Sequence, residues 1–186
     1  MKIIFLPVSA FVFAVFATLA CADDSSLTAE QLAAKFMAQE ATRGLVIAPA
    51  DGTAAPTADG ATTLPADTTY ASVDPNSQVN FQIKFAFDSA ALAADEVSKL
   101  TTLCEVIKAS DIPQFKIIGH TDSSGTDSYN QNLSLLRAEE VKRNLVENCG
   151  VPDAKLVATG VGEAFPLDAQ DPKADVNRRV EFQVGS

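Results

Sequence analysis

The sequence predicts an α+β domain: a mixed four-stranded sheet in βαβαββ order, with two main helices on one face. Three observations carry this. Residues 79–87 alternate large apolar and polar side chains, as a half-buried strand does. Two stretches, around 97–107 and 130–148, repeat their apolar residues at helical spacing. Further short β-type segments follow each of these stretches, which gives a mixed sheet with its helices packed to one side.

In chain order, Val79, Phe81, Ile83, Phe85 and Phe87 alternate with Asn80, Gln82, Lys84 and Ala86 to make the first strand. Asp88-Ser89 is then positioned to cap a helix whose inner face is Val97, Leu100, Leu103/Cys104 and Ile107. Pro113 follows the end of that helix, and residues 115–120 read as the second strand. A loop over 122–127 leads into a helix from about Asn130 to Asn148, with Leu133, Leu136, Val141 and Leu145 inward and Gly150 as C-terminal cap. Residues 156–161 and 176–184 complete the sheet.

What precedes position 78 differs in kind. After Lys2, residues 3–20 are apolar except at Pro7, Ser9 and Thr18, and the run ends in Ala20-Cys21-Ala22 before Asp23-Asp24. Small residues at −3 and −1 before a polar start mark residues 1–22 as a signal peptide. Two other readings stay open: a retained anchor, since eighteen residues just span a bilayer, and lipidation at Cys21, although Thr18 rather than Leu stands three residues before it. All three deliver the rest of the chain to the periplasm or the outer membrane.

Residues 23–46 contain a short helical segment over 27–43, with Leu32, Phe36 and Met37 on one stripe and Thr28 as N-cap. So short a helix is marginal in isolation, which makes it transient or docked on a protein partner. Residues 47–77 hold 8 Ala, 6 Thr, 4 Pro and 4 Asp among 31 positions and hardly any large apolar side chain. This composition predicts a disordered linker with a mean reach of roughly 30 Å.

Charge and cysteine usage set exclusions. The chain of 186 residues has 14 Lys+Arg, 24 Asp+Glu, one His and a net charge of −10, which excludes a general nucleic-acid binder. One His and three scattered Cys exclude a conventional zinc site of four protein ligands, and no metal or cofactor is expected. If Cys21 leaves with the signal, Cys104 and Cys149 remain as a pair in an oxidising compartment. A disulfide between them is the expectation, favourable by on the order of 4 kcal/mol for so long a loop; the alternative is two buried thiols.

The functional motifs lie in the second half. Gly119-His120-Thr121-Asp122-Ser123-Ser124-Gly125, followed by Asn130, Leu133, Ser134, Arg137, Ala138 and Val141, resembles the signature of the OmpA-like peptidoglycan-binding domain. Phe87-Asp88-Ser89, Gly160-Val161-Gly162-Glu163 with Pro166, and Asn177-Arg178-Arg179-Val180-Glu181 extend the resemblance over residues 79–184. Several separated motifs in the right order are a specific signal, unlike one short pattern. The resemblance implies a domain at 78–186 that binds the peptide stem of peptidoglycan without covalent chemistry, through meso-diaminopimelate, with Asp122 and Arg137 as the ligand pair.

The residue types suit that ligand. A zwitterionic tip needs one anion and one cation a small-molecule width apart; Asp122 accepts from an ammonium, and Arg137 grips a carboxylate in a bidentate fork that Lys lacks. The competing reading is an internal Asp122–Arg137 ion pair that holds the loop, and the two coexist if ligand replaces each partner. Asn130 divides between capping and binding. Thr121 accompanies Asp122 at the strand end. Phe87 and Asp88 match positions whose backbone lines the pocket, though Phe87 is also the last inward residue of its strand. Arg178, in step with Val176, Val180 and Phe182, needs an anion: a ligand carboxylate or a structural partner such as Glu163. His120 has no nucleophile placed beside it by any motif, and reads as a hydrogen-bonding residue rather than a catalytic one.

Three functions compete. The first is a non-enzymatic anchor of the protein, or of the outer membrane, to the cell wall. The second is a flagellar-stator-like subunit, which requires a retained transmembrane helix bearing an acidic residue; residues 3–20 contain none. The third is a cell-wall hydrolase or an accessory to one, and the enzyme itself needs a metal triad or acid pair absent from these motifs. Only 55 residues separate the export segment from the domain, too few for an eight-stranded barrel.

Overall fold

A computed structural model describes residues 23–42, 70–85 and 89–185. The signal segment, Cys21, most of the expected linker, Phe87 and Asp88 lie outside the described residues. Four strands, β1 (Val79–Phe81), β2 (Phe115–Gly119), β3 (Leu156–Gly160) and β4 (Val180–Val184), form one sheet in the order β1-β4-β2-β3. β2 and β3 run parallel, joined by helix α4 (Asp127–Glu147), and β4 is antiparallel to both β1 and β2. This is the mixed α+β architecture expected.

One face of the sheet is apolar. Val79, Phe81, Phe115, Ile117, Val180, Phe182 and Val184 point to that side and meet Leu100, Leu103, Ile107, Ala138, Val141 and Leu145, all buried. Edge-to-face rings, Phe81 on Phe182 at 5.5 Å and Phe36 on Phe115 at 5.0 Å, fill its centre.

Three elements depart from expectation for identifiable reasons. β1 closes at Phe81; beyond it Phe85 makes only an isolated bridge to Leu92. The helix expected after Ser89 is two helices, α2 (Ala94–Lys99) and α3 (Thr101–Ala109), meeting at Leu100. α2 has Ala93 at its N-cap with no side-chain bond, so Ser89 does not cap it; the Ser89 hydroxyl instead accepts from the Ala91 N–H at 3.0 Å. Lastly, β4 starts at Val180 rather than at Val176, because Asp175–Asn177 makes a 3₁₀ turn held by the Asn177 side chain.

The largest difference concerns α1 (Ala29–Thr42), which packs on this same domain. Thr28 and Gln31 form a reciprocal capping box: Gln31 N–H donates to Thr28 Oγ1 at 3.3 Å, and Thr28 N–H donates to Gln31 Oε1 at 2.9 Å. Leu32 and Phe36 are fully buried in the core, each favourable by about 1.5–3 kcal/mol. Gln39 continues the sheet where β1 has not yet begun, donating to the Ser77 and Phe182 carbonyls and accepting from Val184 N–H. Asp23 and Asp24 occupy the exposed edge of β1, accepting from Gln82 N–H and Asn80 N–H, while Lys35 pairs with Asp24 at 2.9 Å. An open edge is thereby covered by two carboxylates. Met37, expected on the inner stripe, is 68% exposed.

α4 lies on β2 and β3 at very short range. A Cβ on Gly119 or Gly160 would collide with the backbone of Ser134 or Leu135. Small side chains are therefore needed on the contacting face, and Ser134 and Ala138 supply them, while Leu133 is half-buried and Leu136 is 52% exposed. The expected inward Leu133 and Leu136 yield to this close approach. Thr126, not Asn130, caps α4, its hydroxyl accepting from Tyr129 N–H. At the other end Gly150 takes the left-handed turn (φ +71°), and a disulfide joins Cys104 of α3 to Cys149, Cα atoms 6.0 Å apart.

The second face of the sheet is polar and also buried. Asn80, His120, Arg179, Glu181 and Gln183 project there. Tyr70 lies over them, ring to ring with His120 and Phe165, its hydroxyl 3.3 Å from Glu181 Oε2.

Candidate functional site

The site forms where β2 ends. Its last residues are fixed on both sides: Thr121 N–H donates to Gly162 O at 2.9 Å, and His120 N–H donates to Arg179 O at 2.9 Å. The chain then turns at Asp122, whose Oδ1 accepts from Ser124 N–H at 2.9 Å, an Asx-type turn. Gly125 (φ +108°) brings the loop back to α4. Asn130, 1% exposed, donates from Nδ2 to the Asp122 carbonyl and to the Glu163 carboxylate. Asn130 thus ties the loop before α4 to the loop after β3; this is a positioning role, not capping.

Three charged groups then share one neighbourhood. Asp122 Oδ2 lies 2.7 Å from Arg178 Nη1, and the other arm of Arg178 reaches Asp175 at 2.5 Å. Burial raises the Asp122 pKa, but the Arg178 hydrogen bond and the Ser124 donors outweigh it, leaving the carboxyl below the ordinary aspartate value. Bonding to Asp122 conversely raises Arg178. The anions beside Arg178 are thus Asp122 and Asp175 rather than Glu163.

Arg137 differs. It is 9% exposed and stacks over the Phe85 ring, its guanidinium carbon 4.8 Å from the centroid. Among the described residues no carboxylate pairs with it, and its buried Nε has no hydrogen-bond partner. Burial lowers its pKa from the ordinary arginine value, with Arg178 adding to that and Asp122 opposing it. The internal Asp122–Arg137 pair of the sequence reading is thus replaced: Arg178 neutralises Asp122, and Arg137 rests on an aromatic face. Cation–π contact is worth about 0.5–2 kcal/mol, much less than a buried guanidinium loses on desolvation.

The structure brings Asp122, Arg137, Arg178 and Asn130 together. Thr121 stands beside them with its backbone engaged and its side chain buried. Sequence reasoning missed Phe85 as the platform under Arg137, and Glu163 as the second partner of Asn130. Phe85 carried a signal, since the alternation placed it on the inner face. His120 Nε2 is 3.2 Å from Glu181 Oε2, and burial lowers the imidazole pKa. No group of three or more His, Cys, Asp or Glu among the described residues is arranged to hold a metal ion, and no described helix is long and apolar enough to cross a membrane.

These features define a small α+β domain with a cluster of charged side chains at one end of its central strands. The model of the OmpA family matches residues 84–179, more than half of the chain, and the chain belongs to that family. It is 36% identical over 109 residues to outer membrane porin F of Pseudomonas fluorescens, covering 58% of this chain and 33% of that protein. To the outer-membrane lipoprotein YfiB of Pseudomonas aeruginosa it is 33% identical over 105 residues, covering 55% of this chain and 62% of the relative. A MotB-like protein of Desulfovibrio vulgaris has a similar structure, with a TM-score of 0.50 at 28% identity, over 61% of this chain and 78% of that one. The chain thus spans a minor part of porin F and somewhat under two thirds of YfiB.

Proposed function

We propose that this protein is exported to the cell envelope and binds the peptide stem of peptidoglycan non-covalently, anchoring itself or the outer membrane to the wall. The observation that carries the proposal is Arg137: a buried guanidinium without a carboxylate partner among the described residues, within electrostatic reach of Asp122. The free end of diaminopimelate presents an ammonium and a carboxylate. Arg137 receives the carboxylate in charge-assisted bonds, and Asp122 receives the ammonium. Arg178, with its side chain 40% exposed, swings aside or takes a second carboxylate contact. Binding of this kind involves no bond making, so the domain acts as a receptor and not as an enzyme. Family membership and the outer-membrane names of its relatives favour this setting.

The test is co-sedimentation of residues 23–186 with isolated sacculi, competed by free diaminopimelate. Truncating one partner of a buried charged contact costs about 2–5 kcal/mol, so Arg137→Ala should lower affinity by a factor of 30 or more; Asp122→Ala should do nearly as much. Both variants should keep their far-UV CD spectrum. Undiminished pelleting of both would overturn the assignment.

A further inference from the structure

The pole of the domain away from Asp122 carries a concave surface. It is a groove of about 590 Å³ between α1 and α3 whose lining includes Ile112, which precedes β2, whereas Asp122 follows that strand. Ala33, Met37, Val106 and Ala109 are among its apolar lining. Met37 is the most exposed large hydrophobic side chain described, at 68%. Four carboxylates, Glu30, Glu40, Glu105 and Asp111, stand among the lining residues, and no Lys or Arg does.

We propose that this groove docks an amphipathic helix of a partner protein, one whose apolar stripe is flanked by Lys and Arg. Shape and charge both point to that occupant. The α1 side of the groove runs from Ala29 to Glu40, about 17 Å at 1.5 Å per residue, long enough for a helix to present anchors at i, i+4, i+7 and i+11. Small residues at 33 and 109 let a second helix approach closely, and Met37 adapts to whatever side chain it meets. The carboxylates select the sign of the partner's flanking charges. A second copy of this chain fits poorly, because the same face would oppose four carboxylates with four more. The chain's own residues 43–69 fit no better, with three Asp against one Arg and few large apolar side chains.

The proposal is independent of wall binding and is tested on residues 23–186 with an 18-residue Leu/Lys peptide of helical stripe pattern and a scrambled peptide of the same composition. Amide chemical-shift changes should fall on α1 and α3, and the striped peptide should bind about tenfold tighter than the scrambled one. Met37→Ser should weaken binding about fivefold, and the double variant Glu40→Lys/Glu105→Lys at least tenfold, with a smaller dependence on salt. Arg137→Ala should leave the peptide affinity unchanged. Equal binding of the scrambled peptide, or shifts spread over other faces, would reduce the effect to non-specific attraction by an acidic protein and overturn the proposal. Concentration-dependent shifts at the groove without peptide would overturn it too, in favour of self-association.

Discussion

The two faces of this sheet are both buried, but by different physics. The helical face is a continuous apolar layer from Val79 to Val184, and its side chains need only fit. The opposite face places Glu181 at 0% exposure beside His120 and Arg179, with Asn80 donated to by Arg179 Nε at 3.0 Å and Gln183 donating to Glu181 at 2.8 Å. There stability depends on pairing, because a buried unpaired polar atom is costly, and Asn80, Glu181 and Gln183 are each hydrogen-bonded to a neighbour. The difference shows which face does what. The apolar side supplies stability that tolerates repacking. The polar side holds the backbone of 120 against that of 179, and from those two points Asp122 and Arg178 project into the site.

That contrast can be broken from either side. Phe182→Ala, in the centre of the apolar layer, should be the most damaging change, at about 3–5 kcal/mol. Glu181→Ala, its neighbour on the other face, should cost nearly as much, about 2–4 kcal/mol, by leaving Arg179 buried beside an uncharged gap. Chemical denaturation measures both. The two should differ in a second respect: a hydrophobic repack such as Phe182→Leu should recover most of the loss, whereas Glu181→Gln should recover little, since an amide cannot balance Arg179. Equal rescue at both sites would show that the two faces obey one rule.

Protonation separates the faces next. Burial lowers the His120 pKa, so the folded state holds a neutral imidazole while the unfolded chain takes up a proton near the ordinary value of about 6.5. Stability is thus complete above that pH and falls as pH drops through it. Glu181 and Asp122 have lowered pKa values: burial opposes their charge, but donors from His120 and Gln183, or from Arg178 and Ser124, outweigh it. Their contribution is lost only further down, below the ordinary carboxylate range. Thermal melts from about pH 8 down to about pH 2 should show both declines, and His120→Gln should flatten the upper one while leaving the lower one in place.

The apolar face was legible in the sequence and the polar one was not. Alternation at the start of 79–87, the β-type segment at 115–120, helical spacing over 97–107, and Gly150 after the last helix follow from local rules. The α4 phase failed at Leu136 because hydrophobicity says nothing about how near two backbones come, and Gly119 with Gly160 set that distance. A helix as short as α1 looked marginal because its partners Phe115, Phe182 and Val184 are far away in sequence. At the site, residue types identified Asp122 and Arg137, but which cation pairs with Asp122 depends on the 3₁₀ turn before Arg178, a tertiary matter. Likewise, polar residues alternating on a strand normally signal solvent; here Tyr70 and Ala71, in the stretch 47–77 read as linker, cover them.

Tyr70 gives the smallest and most discriminating change. Tyr70→Phe deletes only the hydroxyl bonded to Glu181 and keeps the ring on Phe165 and His120, so at pH 7 it should cost about 0.5–1.5 kcal/mol. Its signature lies at alkaline pH. Burial raises the Tyr70 pKa, with the charge of Glu181 adding to it, so the folded state resists ionisation that the unfolded chain undergoes near pH 10. A group whose folded pKa is raised contributes stability below the unfolded value and loses it as pH rises. The wild-type protein should therefore weaken above about pH 10, and Tyr70→Phe should remove part of that limb. Tyr70→Ala should remove it as well but lower stability at every pH, because the ring contacts go too. Wall binding should be unchanged in Tyr70→Phe, since Glu181 keeps His120, Arg179 and Gln183, and the backbone at 120 and 179 stays in place. A loss of binding in this variant would mean that the covering segment itself shapes the site.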